Sequence, residues 1–141
     1  MTGQKVVDDV KTAFRFLEEK RGLLCARAEY DPKSFGNVIV EYTGEDLFVR
    51  VVKDRGQFSF SAGPSEATAL TDAQLLTLAG AEEEFHALAV ARVSVGRLGT
   101  LLEKNLLAIE AGLRTDAAAE LVRRQLAHAQ KLRDLIAQRK R

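Results

Sequence analysis

The apolar residues of the first twenty positions recur at helical spacing. They include Val7, Val10, Phe14 and Leu17. Steps of three, four and three residues place them on one face of a helix over about 4–20. Val6 and Phe16 widen or flank the face that these four form. Gly22 follows at a position where a helix often ends, because glycine accepts the positive φ of a C-terminal cap. The chain is therefore predicted to open with an amphipathic helix.

Between residues 23 and 62 the apolar pattern changes to alternation. Val38, Val40 and Tyr42 point to one side of their segment, and Ile39 and Glu41 point to the other. The alternating segments are separated by short stretches of Asp, Gly, Asn and Pro, and turns this short can join only antiparallel neighbours. We therefore expect a four-stranded antiparallel meander, with strands at 23–30, 38–43, 47–53 and 57–62.

After Gly63-Pro64 the spacing becomes helical again. Thr71-x-x-Gln74 has the form of a capping box and predicts a short helix. Apolar residues then recur at steps of three and four from Phe85 to Leu113, interrupted by Arg92 and Gly99, which predicts a long helix over 82–112. About 45 Å of helix exceeds a domain of this size, so the helix is expected to project, to bend at Gly96/Gly99, or to be covered by a partner.

A last helix is predicted after a cap at Thr115 or Asp116. The short connection makes the two long helices an antiparallel hairpin with a buried apolar stripe. That stripe comprises Val122, Leu126, Ala129, Leu132 and Ile136. The predicted fold class is α+β: helix, four-stranded meander, short helix and long helical hairpin. Residues 1–64 form the helix-and-sheet part and 65–141 the helical part of one continuous domain, whose hairpin is expected either to project or to pack on the rest.

The composition argues against several classes of protein and excludes two kinds of cysteine site. The chain has 141 residues with 21 basic and 20 acidic side chains, which argues against a wholly basic nucleic-acid binder. One Cys and two His exclude an internal disulfide and a four-Cys zinc site. No apolar run is long enough to span a membrane and no signal peptide is apparent, so we expect a cytoplasmic protein without membrane association.

Several residue groups have the composition of a chemical site, and each also has a structural explanation. His86 with Glu82 and Glu83 could share a helix face and bind a metal, but acidic residues also favour the first turn of a helix. Cys25 lies in an apolar strand pattern, as buried inert cysteines do. Gly96-x-x-Gly99 is no phosphate loop and indicates close helix packing or a bend. No catalytic, cofactor or metal residues are therefore assigned.

Charge is unevenly distributed, and this suggests binding residues. Residues 65–120 carry four basic and nine acidic side chains, whereas 121–141 carry seven basic and one acidic. Arg55, at a predicted hairpin tip, could bind a partner carboxylate through both guanidinium nitrogens. The candidate partner-binding residues are Arg55, Arg123, Arg124 and Arg133.

Residues 14–63 carry a family resemblance. The segments are Phe16-Leu17-Glu18-Glu19, Tyr30-x-Pro32-x-Ser34-Phe35-Gly36-Asn37 and Val49-Arg50-Val51-Val52-x-Asp54-Arg55-Gly56-Gln57. They resemble small bacterial α+β proteins of uncharacterised or immunity type, which neutralise toxins by binding them. The resemblance implies no catalytic motif and no functional residues.

The sequence favours a non-enzymatic protein that binds another protein, and an immunity or antitoxin-like factor would do so by occluding a toxin. A homo-oligomer is also expected, because the long apolar seam is a natural dimer surface. Two alternatives stay open. The basic last helix could bind nucleic acid, with strongly salt-dependent affinity. An enzyme could assemble a site from Glu29, Glu41 and Asp54 if these carboxylates converged in a pocket.

Overall fold

The computed structural model describes residues 3–33, 36–90 and 94–139, with only the backbone for 88–90. It confirms the α+β class. The helices are α1 Gly3–Ala13, α2 Phe16–Glu19, α3 Asp72–Leu78, α4 Glu82–Val90, α5 Val95–Leu113 and α6 Asp116–Arg139, and the strands are β1 Leu24–Asp31, β2 Asn37–Thr43, β3 Phe48–Asp54, β4 Gln57–Gly63 and β5 Leu70–Thr71.

The opening helix is split where one helix over about 4–20 was expected. α1 ends at Ala13 and α2 begins at Phe16. Phe14 and Phe16 are both buried, with ring centroids 6.1 Å apart. Two residues apart in a continuous helix, they would point about 200° away from each other. The break lets both rings enter the core. Gly22 ends this region with φ 73°, as predicted.

The sheet is an antiparallel meander in the order β1-β2-β3-β4-β5. Four strands lie within a residue or so of their predicted positions. The fifth, β5, is two residues long and pairs with β4 through Ser61–Thr71 and Ala62–Leu70. The alternation did not reveal it because so short a segment has no periodicity to detect.

The helices pack on one face of this sheet. The core side chains of β2 and β3 are Val38, Val40, Tyr42, Val49 and Val51, each fully buried. They belong to one hydrophobic cluster that also contains α1, α3 and α5 residues, so both sides of the predicted boundary at residue 64 contribute to it. The opposite face carries the polar residues of the alternation, including Glu41 and Arg50.

The capping box is confirmed at the start of α3. The Thr71 hydroxyl accepts a hydrogen bond from the Gln74 backbone N–H at 3.3 Å, and Gln74 Oε1 accepts one from the Thr71 N–H at 3.0 Å. Gly80, with φ 78°, follows the end of α3.

The prediction of one continuous helix over 82–112 is wrong. Ser94 has an extended conformation, with ψ 154°, and its hydroxyl caps α5 by accepting from the Arg97 N–H at 3.3 Å. The helical region is therefore two helices, α4 and α5. Arg92, which interrupts the predicted seam, lies outside the described residues. Neither Gly96 nor Gly99 breaks the helix: both lie inside α5, and Gly99 packs closely against Ala13 of α1.

None of the helices in the described part of the chain combines the length and the apolarity that a membrane crossing requires.

Candidate functional site

The last helix begins as part of the body of the protein. The Thr115 hydroxyl accepts a hydrogen bond from the Ala118 N–H at 3.2 Å, which caps α6 as the sequence predicted. Ala118 is buried, and Leu121 and Val122 pack partly against the core. The Gln125 side chain donates to the Ala69 carbonyl at 3.0 Å. The first ten residues of α6 are therefore anchored.

Beyond Gln125 the same helix leaves the body. The apolar face that starts with Ala118 and Val122 continues at steps of three and four, but its large side chains are exposed: Leu126 by 45%, Leu132 by 46%, Leu135 by 48% and Ile136 by 54%. At about 1.5 Å per residue, 126–139 extends about 20 Å. We call this apolar face, formed by Leu126, Ala129, Leu132, Leu135 and Ile136, the α6 stripe; Ala129 is half-buried and the four larger side chains are exposed.

Because the α6 stripe is exposed, the predicted hairpin is not closed along the whole length of α6. α5 and α6 are joined by a connection as short as predicted, Arg114-Thr115. The apolar face of the last helix was expected to be buried against its neighbour, and for 126–139 this is wrong. In 126–139 the predicted core face of this helix is a surface. Apolar residues at these spacings predict burial, but the spacing does not say which chain covers them.

Basic side chains flank the stripe, and three of the four predicted binding residues are among them. Arg123 and Arg124 are exposed and share the carboxylate of Glu120, at 2.6 and 3.2 Å. The hydrogen bond from Arg123 lowers the pKa of Glu120. Arg133 Nη2 donates to Gln130 Oε1 at 2.7 Å, so its charge stays unneutralised among the described residues.

Arg55, the fourth predicted residue, lies on a different element. It occupies the two-residue turn between β3 and β4 with φ 52°, followed by Gly56 with φ 84°. Its backbone N–H donates to Asn37 Oδ1 at 3.1 Å, and Asn37 Nδ2 donates to Asp54 Oδ1 at 3.2 Å. The exposed hairpin tip is confirmed as a structure, while the binding role of Arg55 stays a prediction.

An ion-pair row crosses the open face of the sheet, and sequence reasoning missed it. The strand register places Arg27, Glu41 and Arg50 side by side on β1, β2 and β3. Glu41, only 7% exposed, accepts from Arg50 Nε at 2.7 Å and lies 3.6 Å from Arg27. Arg50 also reaches Glu66 at 2.5 Å and lies over the Phe48 ring, 5.4 Å from its centroid. The charges balance one another, so the row is a structural feature of the sheet.

The three carboxylates of the alternative enzyme site do not form one cluster. Glu29 and Glu41 both pair with Arg27. Asp54 lies four residues beyond Arg50 on β3, about 13 Å along the strand, and accepts from Asn37. None of the three lines the groove that lies between α4 and α5.

A groove of about 360 Å³ lies instead between α4 and the start of α5. It is lined by Glu84, Ala87, Gly96, Arg97, Thr100 and Leu101. Most of the exposed lining is apolar, and Lys104 binds Glu84 at 3.1 Å beside it. The extended backbone at Ser94 interrupts the helix, and Glu84 of α4 and Lys104 of α5, which would lie about 30 Å apart along one continuous helix, are in contact beside the groove. A prediction of one helix over 82–112 leaves no room for this groove, although Ser94 is a residue type that favours a helix N-cap.

The remaining titratable candidates carry no assembled centre. Among the described residues, no group of three His, Cys, Asp or Glu side chains is placed to hold a metal, and that includes the region of His86. Cys25 is half-buried and its thiol donates to the Arg27 carbonyl at 3.7 Å. Burial raises the pKa of Tyr42, whose hydroxyl has no hydrogen-bond partner among the described residues.

Comparison with protein-family models, with curated proteins and with solved structures found no match to this chain. Its function has to be inferred from the fold and from the surfaces described above.

Proposed function

We propose that this chain is a non-enzymatic protein-binding protein that uses the distal half of α6 as its docking helix. One observation carries the proposal: four large apolar side chains at helical spacing are about half exposed on a helix that has left the body. Contiguous exposed apolar patches of a few hundred Å² are typical of interaction sites.

The arrangement fits the helix-in-groove mode of recognition. An amphipathic helix places its apolar side chains, spaced at three and four residues, into a hydrophobic groove of the partner. The stripe supplies these anchors at Leu126, Leu132 and Ile136. The partner is expected to offer an apolar groove with space for them.

The charge of α6 indicates the chemistry of the groove's rim. Lys131, Arg133 and Arg139 have no carboxylate partner among the described residues, and Asp134 is the single acidic residue between 121 and 139. Carboxylates on the rim would pair with these cations and accelerate encounter. An acidic-rimmed apolar groove on a protein is therefore the favoured partner surface.

An immunity-type role is one form of this proposal. Residues 14–63, which resemble immunity-type proteins, would then supply the rigid sheet, and α6 would hold the toxin while the body occludes its active region. Arg55 at the β3–β4 turn is the candidate contact of that body. The alternative of nucleic-acid binding is less favoured, because Glu120 already neutralises part of the charge of Arg123 and Arg124 and because the stripe between the cations is apolar.

The test is affinity capture from the native host with matched variants of the full chain. Leu132→Asp/Ile136→Asp places two carboxylates on the stripe, and Ala127→Asp/Gln138→Asp places two on the far side of the same helix. A protein retained by the wild type and by the far-side variant, but lost from the stripe variant, supports the proposal. Retention by all three, or capture of no protein, contradicts it. A gel shift at low salt tests the nucleic-acid alternative.

A further inference from the structure

The groove between α4 and α5 has the chemistry that the α6 stripe requires. Its exposed lining is mostly apolar, and it includes Glu84 of α4, which Lys104 engages. Glu83 precedes Ala87, another lining residue, by one helical turn, is exposed and makes no ion pair with a described residue, whereas Glu82 accepts a hydrogen bond from the Thr77 hydroxyl on α3. Arg97 also lines the groove, so the acidic character lies on the α4 side.

The outward face of α5 extends this groove. Leu107 follows Thr100 by seven residues and therefore lies on the same side of the helix, two turns further on. It is 83% exposed, the highest exposure among the large apolar side chains described. An apolar helix lying along α5 would cover the groove and Leu107 together.

Helix lengths match this arrangement. α5 has 19 residues and α6 has 24, or about 28 and 36 Å. A helix as long as α6, laid antiparallel along α5, brings its distal residues to the groove. Within one chain α6 does not do so, because its stripe is exposed. One chain thus leaves both the α6 stripe and the α4–α5 groove uncovered. An exchange of α6 between two copies, as in domain swapping, would cover both surfaces.

We infer that the stripe of α6 docks along α5 and into the α4–α5 groove of a second copy of this chain, giving a two-fold dimer in which the contact is made twice. The inference rests on the proposed docking role of α6 and names its partner. Arg133 and Arg139 of one copy would lie near Glu83 and Glu84, on the α4 side of the other copy's groove. Pairing of α6 with α6 is disfavoured, since it sets five cations against five with one carboxylate on each helix between 121 and 139.

The first experiment measures mass by light scattering during size exclusion. The wild type is expected to be a dimer. Leu132→Asp/Ile136→Asp on the stripe and Thr100→Trp in the groove are each expected to raise the dimer Kd by at least about 30-fold. The far-side variant Ala127→Asp/Gln138→Asp and Thr12→Trp, at an exposed position of α1, are matched controls expected to stay dimeric. Circular dichroism checks that each variant keeps its helix.

Mixing the two disrupted variants distinguishes this dimer from other dimers. In the mixture the intact α6 of the Thr100→Trp copy can dock on the intact groove of the stripe variant. Energy transfer between differently labelled variants is therefore expected on mixing and not within either variant alone. A dimer that Thr100→Trp leaves intact, or a mixture that restores nothing, overturns the inference.

The same variants separate the inference from the proposed function. A wild-type chain that is monomeric at every concentration overturns the inference alone. If Thr100→Trp still captures another protein through α6 while the stripe variant does not, the docking role stands and the second copy is not its partner. If the chain dimerises as inferred and captures no other protein, the inferred dimer is supported. The proposal that α6 binds a different protein is then contradicted.

Discussion

Arg50 on β3 holds Glu41 on β2 across the open face of the sheet, with Arg50 Nε donating to Glu41 Oε2 at 2.7 Å. Glu41 is 7% exposed, and the side chain of Arg50 is about a quarter exposed. A carboxylate with so little access to water depends on the guanidinium groups of Arg27 and Arg50 for its charge balance. Removing that charge leaves two guanidiniums without their shared partner.

Glu41→Gln is expected to lower the free energy of unfolding by about 2 kcal/mol, the range for a lost charged hydrogen bond at a buried group. Glu29→Gln is the matched control, because Glu29 also pairs with Arg27 but its side chain is 59% exposed. That exposed pair should contribute little to stability, because water and salt screen it. Urea unfolding of both variants measures the difference, and equal losses would contradict a special role for the buried pair.

The two glycines of Gly96-x-x-Gly99 should respond to alanine in opposite directions. A Cβ on Gly99 would lie 2.5 Å from the Ala13 carbonyl oxygen, in the contact of α5 with α1. Gly99→Ala is therefore expected to cost about 1–3 kcal/mol through overpacking. A Cβ on Gly96 meets nothing within 4 Å, so Gly96→Ala should gain up to about 1 kcal/mol of helix propensity.

Thermal and urea unfolding at low protein concentration test this pair. A stabilising Gly99→Ala would mean that α1 and α5 separate easily. The sequence left close packing and a bend as alternatives for this motif, and the structure assigns close packing to Gly99.

How far the sequence predicts the fold depends on how local the signal is. Alternation around Val38–Tyr42 and the Thr71-x-x-Gln74 box are local, and both elements form where predicted. The cap at Ser94 is a local signal too, but the apolar residues on both sides of it follow one helical spacing, which predicts a continuous helix. The split between α1 and α2 depends on where the core lies, which no local pattern records.

Part of the candidate site could also be predicted from the sequence, and part could not. The exposure of a basic last helix carrying Arg123, Arg124 and Arg133 could be predicted from its composition. The Arg27–Glu41–Arg50 row could not, because it needs the strand register. The register of β1 shifts between Cys25 and Arg27, and a one-residue slip would send Arg27 to the other face. The α4–α5 groove likewise depends on an angle between helices.

Asp72 is expected to make the free energy of unfolding fall as pH rises. It lies at the start of α3 and accepts hydrogen bonds from the backbone N–H groups of Phe60, at 3.2 Å, and Ala73, at 2.8 Å. Burial outweighs these bonds and raises the pKa of Asp72 above its usual 3.8. The folded state then binds a proton that the unfolded state has released, so stability falls as pH rises from 3.8 through the raised pKa.

The measurement is the stability of the wild type relative to Asp72→Asn between pH 3 and 6, values chosen to bracket that window. The free energy of unfolding of the wild type, relative to that of Asp72→Asn, should fall as pH rises. Glu120 provides the opposite case, because Arg123 lowers its pKa below 4.5. Relative to Glu120→Gln, the wild type should gain stability as pH rises through that lowered pKa toward 4.5. Equal slopes would contradict burial as the cause at Asp72.

Arg55 occupies a backbone conformation that suits another residue. Its φ of 52° precedes Gly56 at 84° in a two-residue hairpin, the geometry in which Asn-Gly is preferred. Arg55→Asn should relieve strain and raise the free energy of unfolding by up to about 1 kcal/mol. The backbone bond to Asn37 is kept, so Asn37→Ala, which removes it, should lower stability and serves as the control.

Arg55→Asn also tests whether the guanidinium contributes to binding. If it does, affinity capture should weaken although the variant is more stable than the wild type, a combination that a misfolded variant could not give. Capture unchanged in a stabilised variant would assign Arg55 to the turn alone and leave α6 as the docking element. A variant less stable than the wild type would show that contacts of the arginine side chain outweigh the strain of its backbone.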